Sequence, residues 1–257
     1  MSNIYRAFQD KKAFIAFLTA GDPSLDKTRE YILAMQEAGA DLIEIGIPFS
    51  DPIAEGEVIQ RASMRGLACG TTTDGIFAML EGMREEVTVP LVFLTYLNPV
   101  FHYGSDRFFA RCRECGVSGL IIPDLPFEEQ GELREFSDRY DVDLITLVAP
   151  TSEERIARIA AAAKGFIYLV SSMGVTGVRS EITTDVPALV RAVKRSSGTP
   201  VAVGFGIATP RQAQEFGRVA DGVIVGSAIV KIIEEHGADA ADALRDYVSG
   251  MKAAANS

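Results

Sequence analysis

Eight short apolar runs, rich in β-branched residues, alternate with longer amphipathic segments along the chain. The runs are FIAFLTA (14–20), LIEIGIP (42–48), LVFLTYL (91–97), GLIIPDL (119–125), LITLVAP (144–150), FIYLVSS (166–172), VAVGFG (201–206) and GVIVGSA (222–228). Because these runs are apolar at nearly every position, each predicts a strand that is buried on both faces. The segments between them predict helices, since many open with Ser, Thr, Asp or Pro.

Eight such strand and helix units in 257 residues predict one α/β domain over residues 1–257, a single (β/α)8 TIM barrel. A doubly wound sheet would need a glycine-rich turn after the first strand, where the chain reads TAGDPSLD without G-x-G-x-x-G. The long interval after the second strand leaves room for an extra helix around 57–70. Residues 237–257 predict a closing helix with a frayed end.

Charge and hydropathy exclude several classes of partner. The formal net charge of -10 and the isoelectric point near 4.8 argue against a broad surface for nucleic acid or anionic lipid. The chain has no run of about 18 apolar residues that could span a membrane, and its first residues lack a signal-peptide core. We therefore expect a cytoplasmic protein that is not bound to a membrane.

Cysteine and histidine give little support to a metal site. The three cysteines, Cys69, Cys112 and Cys115, form no paired framework, and the last two share one helical face, which favours packing. His102 and His236 are far apart in the sequence, so we expect neither a catalytic histidine nor a metal.

In a barrel of this kind, residues at the carboxyl ends of the strands and in the following loops carry the chemistry. Polar or aromatic candidates at these positions are Glu44, Glu55, Tyr96, Asn98, Asp124 and Tyr168. Asp124 is equally consistent with a capping role, and Asp51 with contact to a partner chain.

Glu44 lies within an apolar strand, where an ionised carboxylate is costly unless it is paired or opens on a cavity. Burial should raise its pKa and suit it to donate and accept protons near neutral pH. Glu55, in a polar loop, should titrate more normally and stay anionic. Two carboxyl groups in contrasting environments can divide acid/base and electrostatic roles. A structural carboxylate at Glu44 and a solvated loop charge at Glu55 are the alternatives.

Glycine motifs follow three consecutive strands near the end of the chain: MGVTG (173–177), GFG (204–206) and GSA (226–228). Glycines let backbone N–H groups approach an anion, and loops after the seventh and eighth strands of a barrel often bind phosphate. Together the motifs predict a phosphomonoester site. Any one of them alone would favour a simple tight turn.

Seven segments in order, FLTAGDP, IEIGIPFSDP followed by IA-x-G-x-VIQ, TYLNPV, PDLPFEE, YLVSSMGVTG, GFGI and GSAIVK, closely resemble the α subunit of tryptophan synthase. The resemblance implies a barrel lyase of tryptophan biosynthesis that cleaves indole-3-glycerol phosphate to indole and glyceraldehyde 3-phosphate. It also implies a β subunit as partner, in an α2β2 complex. Pyridoxal phosphate is expected only in that β subunit, and no cofactor in this chain.

The resemblance assigns roles to individual residues. Glu44 matches the general acid/base, and Glu55 matches the carboxylate that accepts the indole N–H. Three aromatic residues, Phe17, Tyr96 and Tyr168, match the lining of the indole pocket, and Tyr168 is further expected to position Glu44. Thr176 matches a loop residue that contacts the second carboxylate. The phosphate cradle is matched by Gly177, Gly206, Gly226 and Ser227.

One loop departs from the family pattern. The family usually reads ADGP where this chain has AEGE at 54–57, so Glu55 replaces Asp and Glu57 replaces Pro. Ser172 stands where many relatives carry Arg. Two alternative functions stay open: an α-type barrel that mainly activates the β subunit, and another phosphosugar-handling barrel. Glu44 with SDP and the later GVTG favour the lyase over the second alternative.

Overall fold

The computed structural model of the chain describes residues 3–170, 185–204 and 206–257. Eight parallel strands form a closed barrel in sequence order, and β1 pairs with β8. The strands are β1 (Ala13–Thr19), β2 (Leu42–Gly46), β3 (Leu91–Leu94), β4 (Val117–Ile121), β5 (Asp143–Val148), β6 (Ile167–Val170), β7 (Val201–Gly204) and β8 (Gly222–Val225). The predicted (β/α)8 barrel is confirmed.

Helices surround the strands, and the described residues include 3-10 turns at Asn3–Phe8, Phe127–Glu129 and Gly237–Asp239. The helices are α1 (Leu25–Glu37), α2 (Glu57–Ala68), α3 (Thr73–Gly82), α4 (Leu97–Tyr103), α5 (Ser105–Glu114), α6 (Gly131–Tyr140), α7 (Glu153–Ala162), α8 (Val186–Ser196), α9 (Pro210–Gly217), α10 (Ser227–His236) and α11 (Ala241–Ala255). The extra helix expected around 57–70 is α2. Across the described ranges, no helix is both long and apolar enough to cross a membrane.

Local sequence explains many of the helix starts. Side chains of Ser24, Ser152, Asp185 and Thr209 each accept a hydrogen bond from a backbone N–H in the first turn of the helix that follows. Such caps satisfy N–H groups that have no partner inside the helix. Ser24, Ser152 and Thr209 open predicted helical segments and cap them, whereas Ser105 is the first residue of α5 and Gly104 caps that helix without a side-chain hydrogen bond.

Several strands end earlier than predicted. The predicted strand over 91–97 stops at Leu94, because Tyr96 caps α4 and the Leu97 amide donates to the carboxylate of Asp124, at 3.0 Å from Oδ1. Asp124 therefore has the capping role that the sequence left open. The chain end is also more ordered than predicted: α11 runs to Ala255, and the Lys12 amide donates to Asn256 Oδ1 at 3.0 Å.

The core has two main parts, one between the strands and the helices and one inside the barrel. Along β2, Ile43 and Ile45 belong to the outer part, whereas Leu42 belongs to the inner part with Val92 and Ile224. Side chains alternate along a strand, so Glu44 points into the barrel above Leu42. Register places Glu44 beside Phe17 of β1 and Val92 of β3.

Candidate active site

A pocket opens above the inner core at the carboxyl ends of the strands, and it encloses about 670 Å³ of empty space, part of it open to solvent. Apolar side chains make up most of its wall, with two carboxyl groups among them. The lining residues are Phe17, Glu44, Ala54, Glu55, Ile59, Leu94, Pro123, Leu147, Tyr168, Gly206, Ile207, Ile224, Gly226 and Ser227. Seven of the ten residues predicted for the site lie in this wall.

Glu44 is fully enclosed, with 2% of its surface exposed. Burial, and to a lesser extent the negative charge of Glu55, raise the pKa of Glu44 to about 8. Within the described part of the chain, Oε2 of Glu44 makes no hydrogen bond. A protonated carboxyl group that lines a pocket and has an oxygen without a hydrogen-bond partner can give a proton to a bound ligand and take one back.

Glu55 lies in the loop between β2 and α2, and only 5% of its surface is exposed. Burial raises the pKa of the Glu55 carboxyl, while a hydrogen bond from Tyr96 opposes that rise. The expectation of a solvated loop carboxylate with ordinary titration is therefore wrong. The backbone is fixed as well, since Gln60 Nε2 donates to the Glu55 carbonyl at 2.7 Å.

Tyr96 does not line the pocket itself, but it contacts Glu55, which does. Its hydroxyl accepts hydrogen bonds from the amides of Ile53, at 3.0 Å, and Ala54, at 2.9 Å. The same hydroxyl donates to Oε2 of Glu55. Burial and the Glu55 hydrogen bond raise the pKa of Tyr96, so the phenol keeps its proton. Its contact with the pocket is therefore made through Glu55.

Tyr168 on β6 reaches the pocket from the opposite side, and it is 6% exposed. Burial raises the pKa of the Tyr168 phenol well above its usual value, and the charge of Glu44 acts in the same direction. Its ring lies against the backbone of β7, because a Cβ atom added at Gly204 would come within 2.6 Å of the ring and hydroxyl. Tyr168 and Glu44 are therefore close enough for the charge of Glu44 to act on the phenol, and the positioning role of Tyr168 stays a prediction.

Two residues of the predicted phosphate site, Gly226 and Ser227, lie at the start of α10. Gly226 caps this ten-residue helix without a side-chain hydrogen bond, and Ser227 is its first residue. Gly206, with φ of 92°, and both of these residues line the same pocket. N–H groups at a helix start, together with the helix dipole, favour an anion. Phe17 lies directly beside this corner, since a Cβ at Gly226 would be 3.2 Å from its ring.

Two predicted residues, Thr176 and Gly177, lie outside the described residues, as does Ser172. Among the described residues, no group of three or more His, Cys, Asp or Glu side chains could hold a metal ion. Cys112 and Cys115 are buried in the outer core, in keeping with the packing role that their spacing favours.

Sequence reasoning missed part of the apolar wall. Three strand residues line the pocket: Leu94 on β3, Leu147 on β5 and Ile224 on β8. Counting inward positions back from each strand end could have found them, because side chains alternate between the two faces. The sequence offers no signal that distinguishes Ile59 from an ordinary buried residue of α2.

The fold and site define a class: a (β/α)8 barrel with an apolar pocket at the carboxyl ends of its strands, lined in part by two buried carboxyl groups. Residues 5–256 match the family model described as tryptophan synthase alpha chain. The chain therefore belongs to the tryptophan synthase alpha chain family, and the family and lyase class predicted from the sequence are confirmed.

Individual relatives agree over nearly the whole chain. The tryptophan synthase alpha chain of Lactiplantibacillus plantarum is 50% identical over 255 residues, which cover 99% of this chain and 96% of that protein. A structure of Mycobacterium tuberculosis tryptophan synthase has a TM-score of 0.91 and 36% identity, covering 100% of this chain and 99% of its own. An alpha chain from Legionella pneumophila subsp. pneumophila has a TM-score of 0.88, 35% identity and coverage of 99% and 97%.

Proposed function

We propose that this chain cleaves indole-3-glycerol phosphate to indole and glyceraldehyde 3-phosphate in a retro-aldol reaction, with Glu44 as the proton carrier. The observation that carries this assignment is the position of Glu44: a buried carboxyl group with a pKa of about 8 that opens on an apolar pocket. Near neutral pH it starts the reaction protonated, as a general acid must.

The proposed step is balanced in protons and electrons. Glu44 gives its proton to C3 of the indole ring, which leaves a positive charge shared with the ring nitrogen. The side-chain hydroxyl next to C3 then loses its proton to the Glu44 carboxylate and becomes the aldehyde. The carbon–carbon bond breaks, its electron pair returns to the ring, and neutral indole leaves with the new C3 hydrogen. Glu44 ends the cycle protonated, as it began.

Glu55 is proposed to accept a hydrogen bond from the indole N–H and to stabilise the positive charge on the ring. A fixed carboxylate near developing charge is effective because it needs little rearrangement during the reaction. The Tyr96 hydroxyl and the amide groups that hold it supply this fixation. The hydrogen bond from Tyr96 also favours the ionised form of Glu55, since it opposes the rise in pKa caused by burial.

The rest of the pocket is assigned by shape and charge. Phe17 and Tyr168 provide flat apolar surfaces for the indole ring, and Ile59 adds aliphatic surface. Gly206, Gly226 and Ser227 are proposed to bind the phosphate through backbone N–H groups, the serine hydroxyl and the start of α10. By the resemblance alone, Thr176 is proposed to contact the Glu55 carboxylate and Gly177 to belong to the phosphate cradle. These steps use only side chains and backbone of this chain, without a cofactor.

The loop that departs from the family pattern remains compatible with this chemistry. Glu57 is the first residue of α2, and an acidic side chain there interacts favourably with the helix dipole. Its side chain is 92% exposed, and Ile53 on the same loop is 69% exposed. We propose that this loop faces a pyridoxal-phosphate-dependent tryptophan synthase β subunit, in an α2β2 complex in the cytoplasm.

The second candidate is a barrel that activates the β subunit while its own chemistry is weak, and the Glu55 replacement is the observation that favours it. The two functions separate in an assay of indole release from indole-3-glycerol phosphate, with and without a β subunit. This chain contains no tryptophan, so in the assay without β the product fluorescence is measured without a protein tryptophan background. Turnover that rises with β supports the lyase. No turnover in either condition, with β still accelerated, overturns it.

A further inference from the structure

Arg65, in the last turn of α2, joins two other elements of the pocket. Its Nε and Nη2 atoms donate to Oδ1 and Oδ2 of Asp22, both at 2.8 Å. Its Nη1 atom donates to Oε1 of Glu234 at 3.0 Å. Asp22 lies in the loop after β1, and Glu234 lies on α10. One guanidinium therefore connects α2 with that loop and with α10, whose first residue, Ser227, lines the pocket.

The pair with Asp22 has the geometry of a strong interaction. Two parallel N–H bonds from a planar guanidinium to both oxygens of one carboxylate fix orientation as well as distance. Asp22 is 2% exposed, and its partner is about one-third exposed, so water screens the pair less than it screens a surface pair. Arg61, one turn earlier on α2, adds a second two-point pair to Glu234, at 2.8 and 3.0 Å.

The helix held in this way carries the catalytic loop at its other end. Gly56 caps α2, so Glu55 directly precedes the cap, and Gln60 of the first turn holds the Glu55 carbonyl at 2.7 Å. A small apolar cluster lies between α2, β1 and α10, and it contains Phe17, Ile59, Ala62 and Val230. This cluster has few buried side chains, and the ion pairs of Arg65 add directional contacts between α2, the loop after β1 and α10.

The carboxyl-terminal end of α2 packs closely against the loop after β1, beside the Arg65–Asp22 pair. A Cβ atom at Gly66 would lie 2.7 Å from the carbonyl oxygen of Ala20. A Cβ at Gly21 would lie 1.8 Å from Oγ1 of Thr71. The first two residues of the loop after β1 are therefore in close contact with the carboxyl-terminal end of α2 and the turn that follows it, next to the place where Arg65 binds Asp22.

We propose that Arg65 is a positioning residue for the lyase reaction: by joining Asp22 and Glu234 it fixes α2 so that the Glu55 carboxylate meets the indole N–H. This inference rests on the role proposed for Glu55. It assigns Arg65 no contact with the substrate. Its effect on the ligand passes through the helix and the loop at its start.

The test measures recognition of the ring N–H apart from catalysis. Indole-3-propanol phosphate lacks the hydroxyls that cleavage requires, and its benzofuran counterpart replaces the ring N–H with oxygen. Calorimetry gives the ratio of the two affinities for the full-length chain. A hydrogen bond to a charged group should make this ratio about 10 or more in the unmodified chain. A ratio near 1 there would overturn the role of Glu55, and with it this inference.

The decisive variants are Arg65→Lys and Asp22→Asn. Lysine keeps the charge but cannot bind both oxygens of Asp22 in the same plane. We expect each variant to lower the affinity ratio at least threefold, and to lower kcat/KM for cleavage by about 10- to 100-fold, since displacements near 1 Å have effects of that order. An unchanged ratio in both folded variants would overturn the proposal.

Arg245→Lys is the matched control, because Arg245 also binds two carboxylates, Glu37 and Asp242, from two helices. It should leave both the ratio and kcat/KM unchanged. Circular dichroism confirms that each variant is folded at the assay temperature. If Arg245→Lys lowers the ratio as much as Arg65→Lys does, the effect is general to helix packing and the proposal is wrong.

Discussion

The hydroxyl of Tyr96 donates a hydrogen bond to the carboxylate of Glu55, and it accepts hydrogen bonds from the amides of Ile53 and Ala54. One phenol thus fixes both the backbone and the side chain of the loop that carries the second carboxyl group. The resemblance to relatives predicts an aromatic wall residue at this position, whereas the structure gives it a supporting role.

Tyr96→Phe removes this hydroxyl while it keeps the ring. The two amides and the Glu55 carboxylate lose a buried partner, so we expect the free energy of unfolding to fall by about 1–3 kcal/mol. The rate constant kcat/KM should fall at least about 10-fold, because the carboxylate is no longer held in place. Tyr103→Phe is the control, since that hydroxyl bonds the exposed Asp74. Equal activity in the two variants would contradict the supporting role.

Glu55→Asp restores the residue that the family usually has. We expect activity within about threefold of the unmodified chain or higher, because charge is kept and the family geometry is regained. Glu55→Gln keeps the length and loses the charge, and it should be much less active. Steady-state indole release measures both. A large loss in a folded Glu55→Asp would show instead that the contact with Tyr96 has adapted the pocket to glutamate.

Gly204→Ala tests the placement of Tyr168. The added methyl group would come within 2.6 Å of the Tyr168 ring and hydroxyl, so the ring must shift from its present position. We expect a loss in kcat/KM of about 10-fold or more. The same substitution at Gly198 is the control, because a Cβ there meets no atom within 4 Å. An alanine at 204 with full activity would mean that the Tyr168 position does not matter for turnover.

Burial of Glu44 predicts how stability changes with pH. Its pKa is about 8 in the folded protein and near 4.5 when unfolded, so the folded state holds one more proton between these values. Stability should therefore fall as pH rises through this window. Relative to Glu44→Gln, the unmodified chain should lose about 3 kcal/mol of unfolding free energy between about pH 5.5 and 8.5. Urea titrations at both pH values measure the difference, and parallel curves would contradict the burial of an ionisable group.

The barrel and much of the site follow from local sequence. Buried strands are apolar at nearly every position. A carboxyl group within β2 does not serve apolar packing, so Glu44 could be identified as a site residue from the sequence. Strand ends were less predictable, because Tyr96 and Leu97 have the residue types of a strand but follow it in the structure. The helix start there depends on Asp124, a residue 27 positions away.

Environments set by distant residues were not predictable. Glu55 looks like a solvated loop residue until Tyr96, 41 positions later, is placed against it. Arg65 looks like an ordinary helix surface residue, because its partners Asp22 and Glu234 are 43 and 169 positions away. Local patterns give element type and the facing of a side chain, whereas burial and pairing depend on the closed barrel.

The role of Glu44 as proton carrier is tested by single-turnover indole release from the unmodified chain and from Glu44→Gln, with the β subunit present. We expect the variant to bind indole-3-propanol phosphate as the unmodified chain does, yet to release indole at least about 1,000 times more slowly, because glutamine can neither give nor take the proton. Near-normal release by a folded Glu44→Gln would remove Glu44 from the reaction.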